Sequence, residues 1–153
     1  MCFVGKVRHF MMGIALGFGQ ILPLWADPVE QLFSTRACPE CNLRGQDLSN
    51  RALNGANLST ANLRNVDLQN SNLRNANLIH ANLEEAYLYR TNLQGANLTS
   101  ANLRNATLIE ADLRGAKLTD AITLGAVQSG AKFCRTIMPD GKLNNQDCRL
   151  LEN

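Results

Sequence analysis

Aromatic residues, histidine and excess charge of either sign are all scarce in this chain of 153 residues. Phe, Trp and Tyr make up 5% of the sequence, so Leu and Ala must fill most of any core. The formal net charge is +2, and this near balance argues against the clustered basic surface of a nucleic-acid-binding protein. The chain also has no GxSxG, HExxH or P-loop motif. We therefore expect a protein that is not an enzyme and needs no metal or cofactor.

The segment 1–26 has the three parts of a secretory signal peptide. Lys6, Arg8 and His9 form a positive segment. Residues 10–22 are mostly apolar, Leu24 and Trp25 end this stretch, and Ala26 is the small residue at the expected cleavage site. The apolar stretch of roughly 16 residues is shorter than the ~20 that a membrane-spanning helix needs, which disfavours a retained anchor. We therefore expect export, cleavage after Ala26 and no membrane attachment afterwards.

A period of five residues fills the middle of the chain. Leu occupies every fifth position from Leu43 to Leu118, which gives 16 positions without exception, and a small residue, usually Ala, lies two residues before most of them. On an α-helix such leucines would scatter around the circumference, and on an unbroken strand they would alternate between faces. They can share one side only if the chain turns within every repeat, which suits the Asn, Gly, Ser and Asp that follow Leu. The period therefore predicts stacked coils with Leu inside, paired in parallel about 4.8 Å apart.

Units such as ANLRN at residues 61–65 and ADLRG at residues 111–115 resemble the A(D/N)LXX consensus of the pentapeptide-repeat family. The resemblance covers residues 41–135. It implies an all-β solenoid, a right-handed quadrilateral parallel β-helix with four repeats per coil and a length of roughly 23 Å. The terminal repeats depart from the consensus, as expected of a solenoid with capped ends; the departures are Gln46, Arg51, Thr123, Gln128 and Phe133.

A short helical cap is predicted for residues 27–40. Asp27 and Pro28 are typical of the start of a helix, at its N-cap and first helical position. Leu32 and Phe33 belong to an apolar group at helical spacing, so we expect this face to cover the first coil.

A second cap is predicted for residues 136–153. Pro139, Asp140 and Gly141 form a strong turn signal between short apolar stretches. Both terminal segments also resemble those of exported cyanobacterial members of the family. This resemblance implies that the protein is exported to the periplasm or the thylakoid lumen.

Four of the five cysteines remain after Cys2 leaves with the signal peptide, and disulfides persist in an oxidising compartment. The predicted rod separates Cys38 and Cys41 from Cys134 and Cys148, which excludes a shared zinc site and bonds between the two ends. We therefore expect a Cys134–Cys148 disulfide, with Cys38 and Cys41 either bridged or free. A redox role for the CPEC segment is an alternative, but no βαβ pattern accompanies it.

The predicted interaction patch consists of Tyr87, Tyr89 and Ile109. The two tyrosines flank Leu88, so both should point outwards, and Ile109 lies four repeats after Tyr89 and hence one coil further along. Tyrosine is favoured at protein interfaces. The alternative is that these side chains only stabilise the stacked coils.

The leading hypothesis is a non-catalytic structural or protein-interaction module with a protein partner that the sequence does not identify. Some pentapeptide-repeat proteins instead imitate DNA and protect gyrase, and their surfaces are strongly acidic. Residues 41–135 carry 10 basic and 7 acidic side chains, so DNA mimicry is disfavoured and no nucleic-acid partner is expected. A CxxC thiol-disulfide redox protein is the third hypothesis.

Overall fold

The computed structural model describes residues 27–148. Most of this range is a solenoid in which parallel β-bridges join positions 20 residues apart, from Ala37↔Asn57 to Lys117↔Ile137. This register confirms coils made of four five-residue repeats. The predicted signal peptide lies outside the described residues.

The leucine at the centre of each repeat points into the coil. All 16 leucines from Leu43 to Leu118 are at most 1% exposed, and they form one continuous core with the alanines that precede them. The backbone pairs in both directions along the rod: the Leu83 amide donates to the Asn102 carbonyl of the next coil (2.7 Å), and the Asn102 amide donates back to Ala81 (2.9 Å). The five-residue period thus places the core leucines, and the bridges 20 residues apart set the register.

Each repeat ends in a corner that its own side chains stabilise. In the repeat centred on Leu83, Asn82 Oδ1 accepts from the Glu84 amide (3.1 Å), and the Ala86 amide closes the turn onto the Leu83 carbonyl (3.1 Å). The corner residue Glu85 has a φ of 59°, in the left-handed region. Asn or Asp before Leu is therefore favoured because its side chain satisfies an amide at the corner.

The four repeats of a coil define four faces of the rod, which we number in chain order. Each numbered face is defined by the central residues of its repeats. Face 1 is centred on 43, 63, 83, 103 and 123; face 2 on 48, 68, 88, 108 and 128; face 3 on 53, 73, 93, 113 and 133; and face 4 on 38, 58, 78, 98, 118 and 138.

Helix α1, Pro28–Thr35, precedes the solenoid. Asp27 is its N-cap, with Oδ1 accepting from the Val29 amide (2.8 Å), and Arg36 ends it in the left-handed conformation. Leu32 is fully buried and joins the core of the solenoid. The helix start and the inward Leu32 agree with the sequence-based expectation.

Phe33 was expected to cover the first coil, but it is 42% exposed. The guanidinium carbon of Arg51 lies 5.4 Å from the centroid of its ring. Arg51 occupies a position where most repeats have a small inward residue, and here its side chain is exposed. Phe33 therefore packs on an outward arginine rather than on the core.

The chain reverses direction after the last coil. Strand β1, Thr136–Ile137, pairs antiparallel with strand β2, Leu143–Asn144. Between them the Met138 amide donates to the Lys142 carbonyl (2.8 Å), and Gly141 has a φ of 77°. The turn lies where Pro139, Asp140 and Gly141 predicted it.

The solenoid extends beyond residues 41–135 at both ends. Ala37 already pairs with the next coil, and Cys38 takes the inward central position at 0% exposure. At the other end, Ile137 pairs with Lys117, so the C-terminal segment begins as part of a coil. Backbone pairing continues past the consensus because Cys or Met can also occupy a central position. Among residues 27–148, no helix combines the length and apolar character needed to cross a membrane.

Candidate interaction surface

The structure places Tyr87, Tyr89 and Ile109 together on face 2. Tyr87 is 50% exposed, and Tyr89 and Ile109 are half-buried on either side of the coil boundary. The Arg90 amide donates to the Ile109 carbonyl (3.0 Å), which sets Ile109 one coil above Tyr89. Leu88, between the tyrosines, is 1% exposed. The three outward side chains therefore occupy one side of the rod.

The two tyrosines have different surroundings. Arg90 lies over the Tyr89 ring, with 4.9 Å from its guanidinium carbon to the centroid, and the Tyr89 hydroxyl donates to Glu110 Oε1 (3.5 Å). Arg90 Nε also donates to Glu110 Oε2 (2.6 Å), and this hydrogen bond raises the pKa of Arg90. Tyr89 is thus engaged by neighbours on its own face, whereas Tyr87 presents half of its surface to solvent.

Val127 extends the same surface, although the sequence analysis did not select it. Successive bridges join Tyr87 to Thr107 and Thr107 to Val127, so the three residues form a column along face 2. Val127 is 45% exposed. Its position eight repeats after Tyr87 is the sequence signal that identifies it, because every fourth repeat returns to the same column.

Charges on face 1 are partly neutralised by pairing. Arg64 lies 3.5 Å from Glu84 and 3.3 Å from Glu85, and the side chains are 35%, 26% and 41% exposed. Exposed pairs of this kind contribute about 0–1 kcal/mol each.

On face 3, Asp112 is held between Arg114 and Gln94. Burial raises the pKa of Asp112, but hydrogen bonds from Arg114 and Gln94 lower it further, so the net pKa lies below its usual value. Acidic side chains on faces 1 and 3 are therefore paired with arginine rather than arranged as an unbroken acidic surface.

The four cysteines among residues 27–148 form two bonded pairs at opposite ends of the rod. Cys38–Cys41 and Cys134–Cys148 are disulfides with Cα separations of 5.3 and 4.8 Å. Cys38 is 0% exposed, and its Sγ lies 3.2 Å from the carbonyl oxygen of Pro28, the first residue of α1. Within the described range, no three His, Cys, Asp or Glu side chains are arranged to hold a metal ion.

Comparison with protein families gives a match to the model described as pentapeptide repeats. Eight copies match, over residues 41–78 and 81–120. The matched residues make up slightly more than half of the chain. Comparison with curated proteins gives no match.

Several solved structures are similar to this chain. HetL, a pentapeptide-repeat protein involved in heterocyst differentiation regulation in the cyanobacterium Nostoc sp. strain PCC 7120, is 35% identical, with a TM-score of 0.43. The match covers 71% of this chain and 60% of HetL, so the chain spans less than two thirds of that relative. Rfr23 from the cyanobacterium Cyanothece 51142 is 31% identical over 72% of this chain and 97% of its own, with a TM-score of 0.37.

A pentapeptide-repeat protein from the Arabidopsis thaliana thylakoid lumen is 24% identical, with coverage of 78% and 77% and a TM-score of 0.33. The family assignment depends on the repeat matches rather than on these neighbours. The 20-residue register and the eight matched copies lead to one conclusion: this chain belongs to the pentapeptide-repeat family, whose members fold as right-handed quadrilateral β-helices.

Proposed function

We propose that this protein is a non-catalytic module, exported to the periplasm or the thylakoid lumen, that binds a protein partner through face 2. Pentapeptide-repeat proteins are generally non-catalytic structural modules. The observation that carries the proposal is the 50% exposure of Tyr87 on a backbone fixed from both sides. The Tyr87 amide donates to the Val66 carbonyl (3.0 Å) and the Tyr87 carbonyl accepts from the Leu68 amide (2.9 Å), both in the preceding coil. On the other side, the Leu88 amide donates to the Thr107 carbonyl of the next coil (2.8 Å). A surface held this rigidly loses little conformational entropy when a partner binds.

Tyrosine suits such a surface because it offers a large amphipathic area with few rotatable bonds. Tyr87 and Val127 provide the exposed part of the patch, and Tyr89 and Ile109 provide its half-buried support. The alternative, in which the patch only stabilises stacked coils, agrees better with Tyr89, whose ring and hydroxyl contact Arg90 and Glu110.

The proposed compartment is supported by the cysteines and by the sequence of residues 1–26. Both described cysteine pairs are disulfides, and disulfides persist in oxidising compartments. N-terminal sequencing of the exported protein tests this part of the proposal. We expect Asp27 as the first residue, whereas an intact Met1 in the membrane fraction would contradict it.

We also propose that α1 and the β1–β2 hairpin act as caps. Leu32 of α1 joins the core at the first coil, and Asn145 and Asp147, which follow β2, accept hydrogen bonds from amides of the last coil. Covered ends prevent edge-to-edge association of solenoids.

Crosslinking in the native compartment, followed by mass spectrometry, tests the binding role. Tyr87→Ser should remove the crosslinked partner without lowering the melting temperature, because the side chain is half exposed. The double variant Tyr89→Ser with Ile109→Thr should weaken crosslinking and also lower the melting temperature.

Ile79→Thr is the matched control, since Ile79 occupies on face 4 the position that Ile109 occupies on face 2. It should leave the crosslinked partner unchanged. Crosslinks that persist in both face-2 variants would show that the interface lies elsewhere.

A further inference from the structure

Charge is distributed unevenly among the four faces of the rod. Face 2 carries one basic and three acidic side chains within its five repeats. Face 3 also has five repeats, but it carries five basic side chains and one acidic side chain. The basic residues are Arg51, Arg74, Arg114, Lys132 and Arg135, and the acidic residue is Asp112. A rod that is near neutral as a whole therefore has one strongly basic side.

Arg114 shows how an arginine of this face binds a carboxylate. Its Nε donates to Asp112 Oδ1 (2.8 Å) and its Nη2 donates to Asp112 Oδ2 (2.5 Å), so two hydrogen bonds hold one carboxylate. A guanidinium binds carboxylates strongly and specifically in this bidentate geometry. The acidic partner of Arg114 comes from its own repeat, two residues earlier in the chain.

Arg74 occupies the same position two coils earlier, but its repeat provides no carboxylate. The residue equivalent to Asp112 is Asn72, whose Oδ1 accepts from the Arg74 amide (3.1 Å), as Asp112 Oδ1 accepts from the Arg114 amide (3.2 Å). No acidic side chain among residues 27–148 lies within salt-bridge distance of Arg74, which is exposed. The Arg74 guanidinium is therefore accessible to a carboxylate of another molecule.

Arg36 places a second cation one coil before Arg74. Its Nη1 donates to the backbone carbonyl and to Oδ1 of Asn54 (3.2 and 3.4 Å), so its side chain lies on face 3. The Gly55 amide donates to the Arg74 carbonyl (2.8 Å), which puts Asn54 and Arg74 at the same position in successive coils. Arg36 also has no acidic side chain within salt-bridge distance in the described part of the chain. Two neighbouring cations raise the positive potential at this end of the face.

The other side chains of face 3 favour carboxylates over nucleic acids and membranes as the partner. Single-stranded nucleic acids stack their bases on exposed aromatic rings, but Phe133, the one aromatic residue of the face, is 7% exposed. Proteins that lie on membranes insert apolar side chains, and the exposed large apolar residues of the described chain all lie outside face 3. The face offers guanidinium groups without either feature.

The spacing of these groups fits an α-helix that lies along the rod. Successive coils lie about 4.8 Å apart, so Arg74 lies about 5 Å and Gln94 about 10 Å beyond the level of Asn54. Residues i, i+3 and i+7 of an α-helix lie on one side at about 0, 4.5 and 10.5 Å. Side chains on one side of an extended strand are about 6.6 Å apart and do not match the coils. A helix therefore matches successive levels of the face better than a strand does.

We propose that face 3 binds an acidic helix of a partner protein, whose carboxylates at i and i+3 pair with Arg36 and Arg74. Residue i+7 of the helix faces the neutral Gln94. Lys132 and Arg135, near the other end of the face, attract the same helix at longer range. This surface is separate from face 2 and goes beyond the function proposed for that face.

The probes are two alanine-rich peptides of about 20 residues, long enough to form a helix in water. Both contain four glutamates. In the striped peptide they stand at i, i+3, i+7 and i+10, on one side of the helix, and in its isomer they are spread around the circumference. Circular dichroism verifies that the two peptides are equally helical. Fluorescence anisotropy at low ionic strength measures binding to the oxidised protein, and we expect the striped peptide to bind about fivefold more tightly than its isomer.

Arg74→Gln should raise the dissociation constant of the striped peptide about fivefold, and Arg36→Gln with Arg74→Gln should raise it about twentyfold. Arg104→Gln is the matched control, because Arg104 is an exposed arginine at the position in a face-1 repeat that Arg74 occupies on face 3. It changes the net charge equally and should change the dissociation constant less than about twofold. Melting temperatures verify that all variants are folded. Equal weakening by Arg74→Gln and Arg104→Gln, or equal binding of the two peptides, would show attraction by net charge alone and would overturn the proposal.

Other partners of face 3 give different outcomes. A single-stranded oligonucleotide, or vesicles of phosphatidylcholine with phosphatidylglycerol, might compete with the striped peptide; displacement by either at a lower concentration of negative charge than that of unlabelled peptide would overturn the proposal. A dimer by sedimentation that Arg74→Gln converts to monomers would assign the face to a second copy, and would equally overturn it. Tyr87→Ser should leave peptide binding unchanged. If Tyr87→Ser removes the crosslinked partner while peptide binding ignores Arg74→Gln, this inference fails and the proposed function stands.

Discussion

At the level of single residues, the central leucine of each repeat contributes most to folding because it passes from water to a fully enclosed position. Leu83 is 0% exposed, and burial of a leucine side chain is worth about 2 kcal/mol. Leu124 is the same residue type in the same family of repeats but is 73% exposed. Substitutions at Leu83 and Leu124 therefore test the effect of burial on stability with the residue type held constant.

We expect Leu83→Ala to lower the free energy of unfolding by about 2–5 kcal/mol, since it removes buried methyl groups and leaves a cavity. Leu124→Ala should change it by less than about 0.5 kcal/mol. Urea denaturation followed by circular dichroism measures both values. Similar losses in the two variants would contradict the assignment of inward and outward positions.

The corner position of each repeat imposes a second residue-level requirement. Thr60 has a φ of 57°, in the region that β-branched residues avoid. Thr60→Gly should therefore raise the free energy of unfolding by about 1 kcal/mol, because the strain removed exceeds the entropy lost by glycine. Thr107→Gly should lower it instead, since Thr107 is a bridged position in an extended segment. Thermal melts of both variants should shift in opposite directions; a shared sign would argue against strain at Thr60.

At the level of elements, the sequence predicted most where a single physical rule decides the structure. Sixteen leucines at a five-residue period can be buried together only by turning in each repeat, so the core followed directly. The four repeats per coil were implied by the family resemblance, and the bridges between positions 20 residues apart confirm them. The same 20-residue coil placed Tyr89 and Ile109 on one face. Helical spacing likewise placed Leu32 inwards.

The exceptions lie where the repeat ends. Helical spacing groups Phe33 with Leu32 but does not reveal where the covered edge stops, and Phe33 packs on Arg51 instead. The consensus begins after Cys38, yet backbone pairing includes Cys38. Thr123 was recognised as a departure from the consensus, but the outward Leu124 beside it was missed. The sequence signal was that Thr stands at the central position 123 and Leu one residue later, at position 124.

The C-terminal hairpin owes part of its stability to the Cys134–Cys148 disulfide, which has a sequence separation of 14. Closing a loop of this length stabilises the folded state by about 3 kcal/mol in the chain-entropy model. Peptide mapping of the exported protein without reduction should recover the two cysteines in one crosslinked fragment. Cys148→Ser should lower the melting temperature, whereas Cys2→Ser should not if the segment 1–26 is removed. Recovery of Cys148 as an unmodified thiol would contradict this assignment.

At the level of the whole molecule, the distribution of charge decides between binding classes. Residues 41–135 carry 10 basic and 7 acidic side chains, and Glu84, Glu110 and Asp112 lie in ion pairs with arginine. An imitation of DNA needs a continuous acidic surface in place of phosphates. The rod instead presents a near-neutral surface with one exposed tyrosine.

We therefore expect the purified protein to leave gyrase supercoiling unchanged, and to give no protection against a gyrase inhibitor. A supercoiling assay on relaxed plasmid measures both effects. Clear inhibition by the unmodified protein would favour the DNA-mimic hypothesis.

Binding of a protein through face 2 is the central claim, and site-specific photo-crosslinking in the native compartment tests it most directly. A photoreactive amino acid replaces Tyr87 in one variant and Asn97 in another; the two occupy equivalent positions on faces 2 and 4, on opposite sides of the rod. After illumination, mass spectrometry measures the adducts. We expect one dominant protein adduct from position 87 and none of that mass from position 97. The same adduct from both positions, or none from position 87, would contradict the claim.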